Sequence, residues 1–264
     1  MSARARQREL AVQTRLWATF ERRITPAMAR LESRIVRDSL DYFERGGISA
    51  SEGWIDDTAP KQWFEILAPH NTRVVRTFAD RTQTQLDGKS WDAVAALQFK
   101  ADPAERFTLD FLETLLDWVQ SEGLKNAKRI AGTTKTVMRE LIGALQEEGL
   151  SVRAIARRMR IDAPLLGRTR AIVIARTETH NAAMFAGQEA AKSTGLELEK
   201  VWLAHGGPRT RDTHLEANEQ RQKIDTPYTV GGYQLLRPGD SSLGAPAEEV
   251  IQCRCGEAHE PVRG

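Results

Sequence analysis

Along the first two thirds of the chain, apolar residues recur at helical spacing. Leu16, Phe20, Ile24, Ala27, Leu31 and Ile35 follow one another at intervals of three or four, which puts them on one face of an α-helix. Pro26 falls inside this run, with Thr25 placed to cap a new start. The run therefore predicts two helices or one kinked helix, stopping at Gly46-Gly47. A further helix is expected to start near Thr58-Ala59-Pro60 and to carry Trp63, Phe64 and Leu67. Another covers Asn71 to Leu86 and closes at Gly88. The clearest signal spans 102–123: Asp102 can cap, Pro103 fits the first turn and Glu105 completes a capping box. Phe107, Phe111, Leu115 and Trp118 then form its stripe, and Gly123 is expected to end it. Downstream, Val137, Leu141 and Leu145 share a face. Ser151 caps a segment with Val152, Ile155 and Met159 inward, and Pro164 to Gly195 reads as a long Ala-rich helix.

The pattern changes at Gly195. "LEKVWLAH" alternates as a strand, "GGPRTRD" is a turn, and "RDTHLEANEQ" is a short helix. "PYTVGGYQLL" places two β-prone runs around Gly231-Gly232, the signature of a hairpin. The expected fold is α+β: a mainly α-helical N-terminal two thirds, residues 1–194, followed by a small mixed α/β domain, residues 195–264. No repeat or low-complexity tract is visible.

Composition narrows the class. A chain of 264 residues, 41% hydrophobic and 28% charged, can bury a real core. No apolar run approaches the ~20 residues that span a bilayer, and no apolar segment follows the basic start, so neither a membrane anchor nor a signal peptide is expected. Two cysteines do not make a secreted disulfide framework, which favours a reducing, cytoplasmic site of synthesis. Net charge is +2 but unevenly spread. Residues 1–40 hold nine Arg against four acids, and residues 151–176 hold seven Arg against one acid, Asp162. Residues 196–264 hold eight Lys and Arg against eleven acids. Solvated helix faces would explain the Arg-rich stretches. A nucleic acid or an acidic protein surface would explain them too, with Arg153, Arg157, Arg158, Arg160, Arg168 and Arg170 as the contacts.

Both cysteines lie in "VIQCRCG". If that stretch is extended, Cys253 and Cys255 face the same way with Cα atoms about 6.6–6.8 Å apart, at the far edge of disulfide geometry. Free thiols, a strained disulfide and a shared Zn²⁺ ion are the three readings. Zinc would need two further ligands. His205, His214 and His259 are the nearby imidazoles, and Asp212 and Asp240 the oxygen donors. "PGDSSLG" contains a Gly-Asp-Ser that some serine esterases use, but it lacks a strand–nucleophile–helix setting, and Pro238-Gly239-Asp240 reads as a turn. "RTRDTH" groups Arg209, Arg211, Asp212 and His214 as an anion or metal site, or as a local salt-bridge network. No phosphate loop, zinc-protease helix or dinucleotide fingerprint is present.

Five segments, in order, resemble the phage Mu protein F-like minor head proteins of the phage head morphogenesis family. "RAIVIARTETHNAAMFAG" is similar to the family's Arg-Thr-Glu segment, with Arg176, Thr177 and Glu178. "KVWLAH" resembles its Trp-containing strand, with Trp202, and "RTRDTH" its Arg-x-x-His, with Arg211 and His214. "LLRPGD" resembles its Pro238, Gly239 and Asp240 loop. "VIQCRCG" resembles its closing Asn-Cys-Arg-Cys, with Cys253, Arg254 and Cys255. The likeness covers Arg170 to about Pro261, and "LQEEGLSVRAIARRM" resembles the helical lead-in. Three positions depart: Gln252 stands for the Asn, Glu219 for a Gly, and Gly206-Gly207-Pro208 for an acidic lead.

The resemblance implies a structural minor capsid protein without catalysis, acting in head assembly near the portal. Its implied partners are portal, major capsid or scaffold proteins, and double-stranded DNA. It would reside in the host cytoplasm during assembly and then in the virion. Some relatives carry Cys-x-x-Cys where this chain has Arg211 to His214, which makes His214 the best partner for Cys253 and Cys255 in a zinc site, with His205 as the fourth candidate. A zinc-containing nucleic-acid-binding module and a metal or serine hydrolase, the latter through Ser241, are the rival readings.

Overall fold

A computed structural model describes residues 1–87 and 108–262. Three long helices lead: α1 Ala3–Asp87, α2 Leu109–Glu147 and α3 Val152–Ser193. The remainder runs β1 Leu198–Leu203, α4 Asp212–Glu216, β2 Arg221–Lys223, β3 Tyr228–Val230, β4 Tyr233–Leu235, α5 Ala247–Val250 and β5 Gly256–Pro261. The α+β class, helical first and strand-bearing last, is the observed one.

The helices are longer than their sequence punctuation suggests. Within α1 the only non-helical backbone is at Gly46 and Gly47, where Gly47 has φ 72°. Pro26, Pro60 and Pro69 lie inside it, and Pro164 lies inside α3. So the helix runs on through Pro26 and breaks at Gly46-Gly47, the expected stop, while the separate starts expected near Thr58 and at Pro164 are absent. Gly123 does not end α2 either. A proline forfeits one backbone hydrogen bond and crowds the preceding turn, and packing on both sides of each site overrides that cost. The proposed cap at Asp102, with Pro103, Glu105 and Phe107, lies outside the described residues, as does Gly88. The Ser151 cap is present: Ala154 N donates to Ser151 Oγ at 3.4 Å.

By packing, the chain forms two compact units. One comprises Glu21–Asn71 and Trp118–Ala175. The other comprises Met1–Phe20, Thr72–Asp117 and Arg176–Gly264. The change from helix to strand after Ser193 is thus a boundary of texture, while the packing units are each assembled from separated segments.

The helical unit is held by an apolar core in which Met28, Leu31, Ile35, Leu40, Ile55, Trp63, Leu67, Met138, Ile142 and Ile155 are all buried. Burying each large apolar side chain contributes about 1.5–3 kcal/mol. One buried carboxylate lies in this unit. The fully buried Glu32 carboxylate accepts from Arg170 Nε and from Thr134 Oγ1 at 3.0 and 3.1 Å. Burial pushes the Glu32 carboxyl up, and the Arg170 charge and Thr134 pull it back. Gly167 sits where a Cβ would lie 2.1 Å from Ser33 Oγ and 2.7 Å from Ala29 O, so α3 approaches α1 at backbone contact distance. Ser33 Oγ seals that crossing by donating to Ala163 O at 3.1 Å.

The strand-bearing unit contains an antiparallel sheet in the order β2-β1-β5, with Trp202 opposite Glu257 and Leu203 opposite Gly256. β3 and β4 form a separate hairpin. Its two-residue connection, Gly231-Gly232, has φ 58° and 83°, the positive pair that a right-twisted hairpin turn requires. β2 and β5, which no alternation announces, complete the sheet. Residues of the N-terminal segment close it. Gln13 Nε2 donates to Glu257 O at 2.9 Å, and Arg6 bonds Glu260 Oε1 at 3.1 Å and also pairs with Glu219. Leu10 and Gln13 approach Gly256 closely enough that any side chain there would strike them.

Candidate functional site

The cysteine segment is not a strand. Ile251 and Gln252 form a turn, residues 253–255 are irregular, and β5 begins at Gly256. Gln252 has φ 58°, so the chain reverses just before the first cysteine. Both thiols are free and buried.

The residues that shape this segment all belong to the strand-bearing unit. From α3, Arg176 Nη1 donates to Gln252 Oε1 at 2.7 Å, and Thr177 Oγ1 accepts from Gln252 N at 3.2 Å. One turn on, His180 Nε2 lies 2.8 Å from Cys255 O. Burial drives the His180 imidazole down to about 4, so it is neutral near pH 7 and donates that bond. Its ring rests edge-on against Trp17, centroids 4.9 Å apart. From the start of α4, Arg211 Nη2 donates to Ile251 O at 2.7 Å. The Arg-Thr-Glu and Arg-x-x-His segments therefore serve as clamps on the cysteine turn.

His214, on α4, points at the two sulfurs. Its Nδ1 is 3.3 Å from Cys255 Sγ and 3.7 Å from Cys253 Sγ, and one donor atom from each of the three residues lies within 4.8 Å of the others. On the far side of the ring, Nε2 lies 3.0 Å from Glu249 Oε2. Glu249, on α5, is steadied by Thr213 Oγ1, which donates to it at 3.1 Å. With Nε2–H directed at a carboxylate, the tautomer assigned from these partners leaves the Nδ1 lone pair facing the sulfurs. A hydrogen bond between the thiols, then burial, raises Cys253 well above the ordinary range. The same bond lowers Cys255, outweighing the opposing effect of burial.

Behind this cluster the core is aromatic and polar. Trp202 packs edge-on against His214 at 5.4 Å and against Tyr228 at 5.3 Å. Tyr228 OH donates to Glu257 Oε1 at 2.9 Å, and the buried Lys200 ammonium sits 4.9 Å over the Tyr228 ring while donating to Leu236 O. Burial lowers the Lys200 pKa. In the Pro238-Gly239-Asp240 turn, Asp240 accepts from Leu236 N and Ser242 Oγ and pairs with Arg237 at 3.2 Å. Gly239 has φ 80° and lies against His180, where a Cβ would stand 2.7 Å from Nδ1, so both backbone and space demand glycine. Among the described residues, no hydrogen bond joins Ser241 to a histidine.

His205 is exposed, and its side chain is outside the three-residue cluster. It lines a cavity of about 660 Å³ together with His214, Cys255, Arg176, Arg209 and Arg254. Glu178 is buried. His180 and Glu249, unnamed at the sequence level, are the residues that spacing could have offered. His180 stands one helical turn after Arg176, and Glu249 stands four residues before Cys253.

The six arginines of 151–170 separate by environment. Arg170 is the buried partner of Glu32. Arg160 pairs with Asp41 and Glu44, and Arg158 with Asp162. Arg153 and Arg157 flank Arg160 and Ile161 at a surface groove. Arg168 lines a different groove, of about 790 Å³, with Arg30, Arg34 and Arg37 from α1.

Residues 135–257 match the family model described as phage Mu protein F like protein. Over this stretch the chain is similar to that family. The match spans α3, the clamps and both cysteines, and it supports a phage head morphogenesis protein. A relative, NAD(+)–arginine ADP-ribosyltransferase EFV of Enterococcus faecalis, is 34% identical over 88 residues, which is 32% of this chain and 18% of that protein. The chain thus spans under a fifth of that relative's length. No solved structure matches. Among the described residues, no helix is long and apolar enough to cross a membrane.

Proposed function

We propose that this protein is a minor head protein of a tailed phage or prophage, acting in head assembly beside the portal and touching packaged DNA. The observation that carries the reading is the convergence of the phage Mu protein F-like segments on one structure. Arg176, Thr177, Arg211, His214 and the cysteine turn are separate in sequence and locked together in space. The clamps are spent on holding the backbone, which suits a docking module better than a reaction centre. The ADP-ribosyltransferase activity in the relative's name is not part of the reading, because the shared residues are 18% of that protein.

The DNA contact is assigned to the helical unit. Arg30, Arg34 and Arg37 follow the i, i+4, i+7 rule of one helix face, and Arg168 faces them across the groove. All four are exposed, and none has an ion-pair or hydrogen-bond partner among the described residues. Three guanidinium groups over about 10 Å of helix match the charge density of one strand of a duplex, about one phosphate per 3.4 Å of its axis.

Two measurements test the reading. The full chain should co-sediment with procapsids, or with isolated portal, of the phage that encodes it; failure with both would sink the head-protein reading. Affinity for a random DNA duplex should fall with salt at a logarithmic slope of about −3 to −4 if four phosphates are neutralised. Each of Arg34→Ala and Arg168→Ala should reduce that slope by about one. A salt-independent affinity would remove DNA from the proposal and leave the head role standing.

A further inference from the structure

We infer that His214 Nδ1, Cys253 Sγ and Cys255 Sγ bind one Zn²⁺ ion, with a solvent molecule from the adjoining cavity as fourth ligand. The site fastens α4 to the segment that opens β5. This assignment stands or falls separately from the head-assembly reading.

Distances come first. Two donors on one tetrahedral zinc, with Zn–S about 2.3 Å and Zn–N about 2.0–2.1 Å, must stand about 3.5–3.6 Å apart. His214 Nδ1 stands 3.3 Å from one sulfur and 3.7 Å from the other. The imidazole is therefore already placed against both sulfurs to within a few tenths of an ångström, and all three donor atoms lie within 4.8 Å of one another. Their burial is the second observation. All three residues are about 1% exposed, with two ionisable sulfurs facing one imidazole. Packing such groups together without a charge to share is costly, and a thiophilic ion removes that cost.

The third observation is the brace. A zinc-ligating histidine characteristically gives its other ring N–H to a carboxylate, which fixes tautomer and orientation. Glu249 takes this place at 3.0 Å, buried and held in turn by Thr213. A plain core histidine has no need of a buried carboxylate on one side and two thiols on the other. The donor set, two thiolates and an imidazole, selects zinc over calcium or magnesium, which take oxygen ligands. His214 and Cys255 both line the cavity of about 660 Å³, so the fourth position can reach solvent, and His205 remains outside the set.

The test uses the full chain purified without chelator. Elemental analysis should give about one zinc per chain. After stripping, Co²⁺ should restore a tetrahedral spectrum with a thiolate charge-transfer band, and chelation should lower the melting temperature. His214→Ala and Cys255→Ser should abolish the band, while Glu249→Gln should keep it but weaken affinity by about 10–100-fold. His205→Ala should leave affinity unchanged. Absence of zinc as purified, together with no cobalt band in the unmutated protein, overturns the site, and so does a band that survives His214→Ala. A tenfold loss in His205→Ala overturns the solvent ligand and puts the imidazole there.

Discussion

The two packing units bury charge in opposite ways. The helical unit buries one ion pair, Arg170 with Glu32, and a few neutral polar side chains such as Ser39, Asn71 and Asn126, among interlocked Leu, Ile, Met and Trp side chains. The strand-bearing unit buries polar groups throughout: Lys200, His180, His214, Glu249, Glu257 and Glu260 are all at most 8% exposed. Nearly every one is bonded across a long sequence separation, to a partner on another segment. The first unit is specified by shape, and a periodic pattern suffices to encode shape. The second is specified by pairing, and pairing partners carry no local signal.

The sharpest way to break this contrast is to remove the one charge that the helical core depends on. Arg170→Ala leaves Glu32 buried without its cation, which should cost about 3–5 kcal/mol. Replacing both residues by methionine should be far milder than either single change. Denaturant titration of the single and double variants measures the difference. Equal losses in all three would mean that the pair is not buried as described.

Acid should act through the strand-bearing unit. Burial pushes the Glu260 carboxyl up, but hydrogen bonds from Arg221, the Met1 amino group and Arg6 outweigh it and hold it at about 2. A group depressed in the folded state stabilises fully above its unfolded value, near 4.3–4.5, and that contribution is lost as pH falls toward 2. Glu260 should contribute on the order of 2–3 kcal/mol at neutral pH, disappearing between about pH 5 and 2. Glu260→Gln should flatten that part of the stability profile. An unchanged slope would deny the pairing its role.

The smallest effect concerns backbone. Glu219 and Gln252 are the non-glycine residues described with positive φ, at 64° and 58°. They stand where the family resemblance places Gly and Asn, the two residue types that adopt this conformation most readily. Both Glu219→Ala and Glu219→Gly remove the ion pair with Arg6, so their difference isolates the backbone. Glycine should be the more stable by about 1 kcal/mol, read as a melting-temperature difference. Equal stabilities would place the strain elsewhere.

What the sequence made legible follows the same division. Periodicity located the helices but set the buried stripe one residue off: Leu141 and Val152 are 41% exposed, while Met138 and Ile142 are buried. Prolines 26, 60 and 164 suggested boundaries because the rule for proline is local, whereas the cores that carry the helix past them are not. The hairpin and β1 were readable from their β-prone runs and, for the hairpin, from Gly231-Gly232. β2 and β5 were not, since "RQK" and "GEAHEP" are polar strands whose charges are satisfied by residues far along the chain. At the cysteines, spacing and resemblance pointed to His214, but an extended strand was the wrong geometry. The reversal at Gln252, and the roles of His180 and Glu249, depend on contacts 35 to 75 residues away.

The closure of β5 by residues 6–13 also sets an order of events during synthesis. Arg6 and Gln13 reach Glu260 and Glu257 across more than 240 residues of chain. At about 5–20 residues per second, the ribosome delivers the partners roughly 10–50 s after the residues that await them. Through that interval Leu10 lacks the Gly256 backbone it packs against. A chain halted before β5 leaves Leu10 uncovered and so offers proteases and chaperones a mark of incompleteness. Only a chain read through β5 covers it.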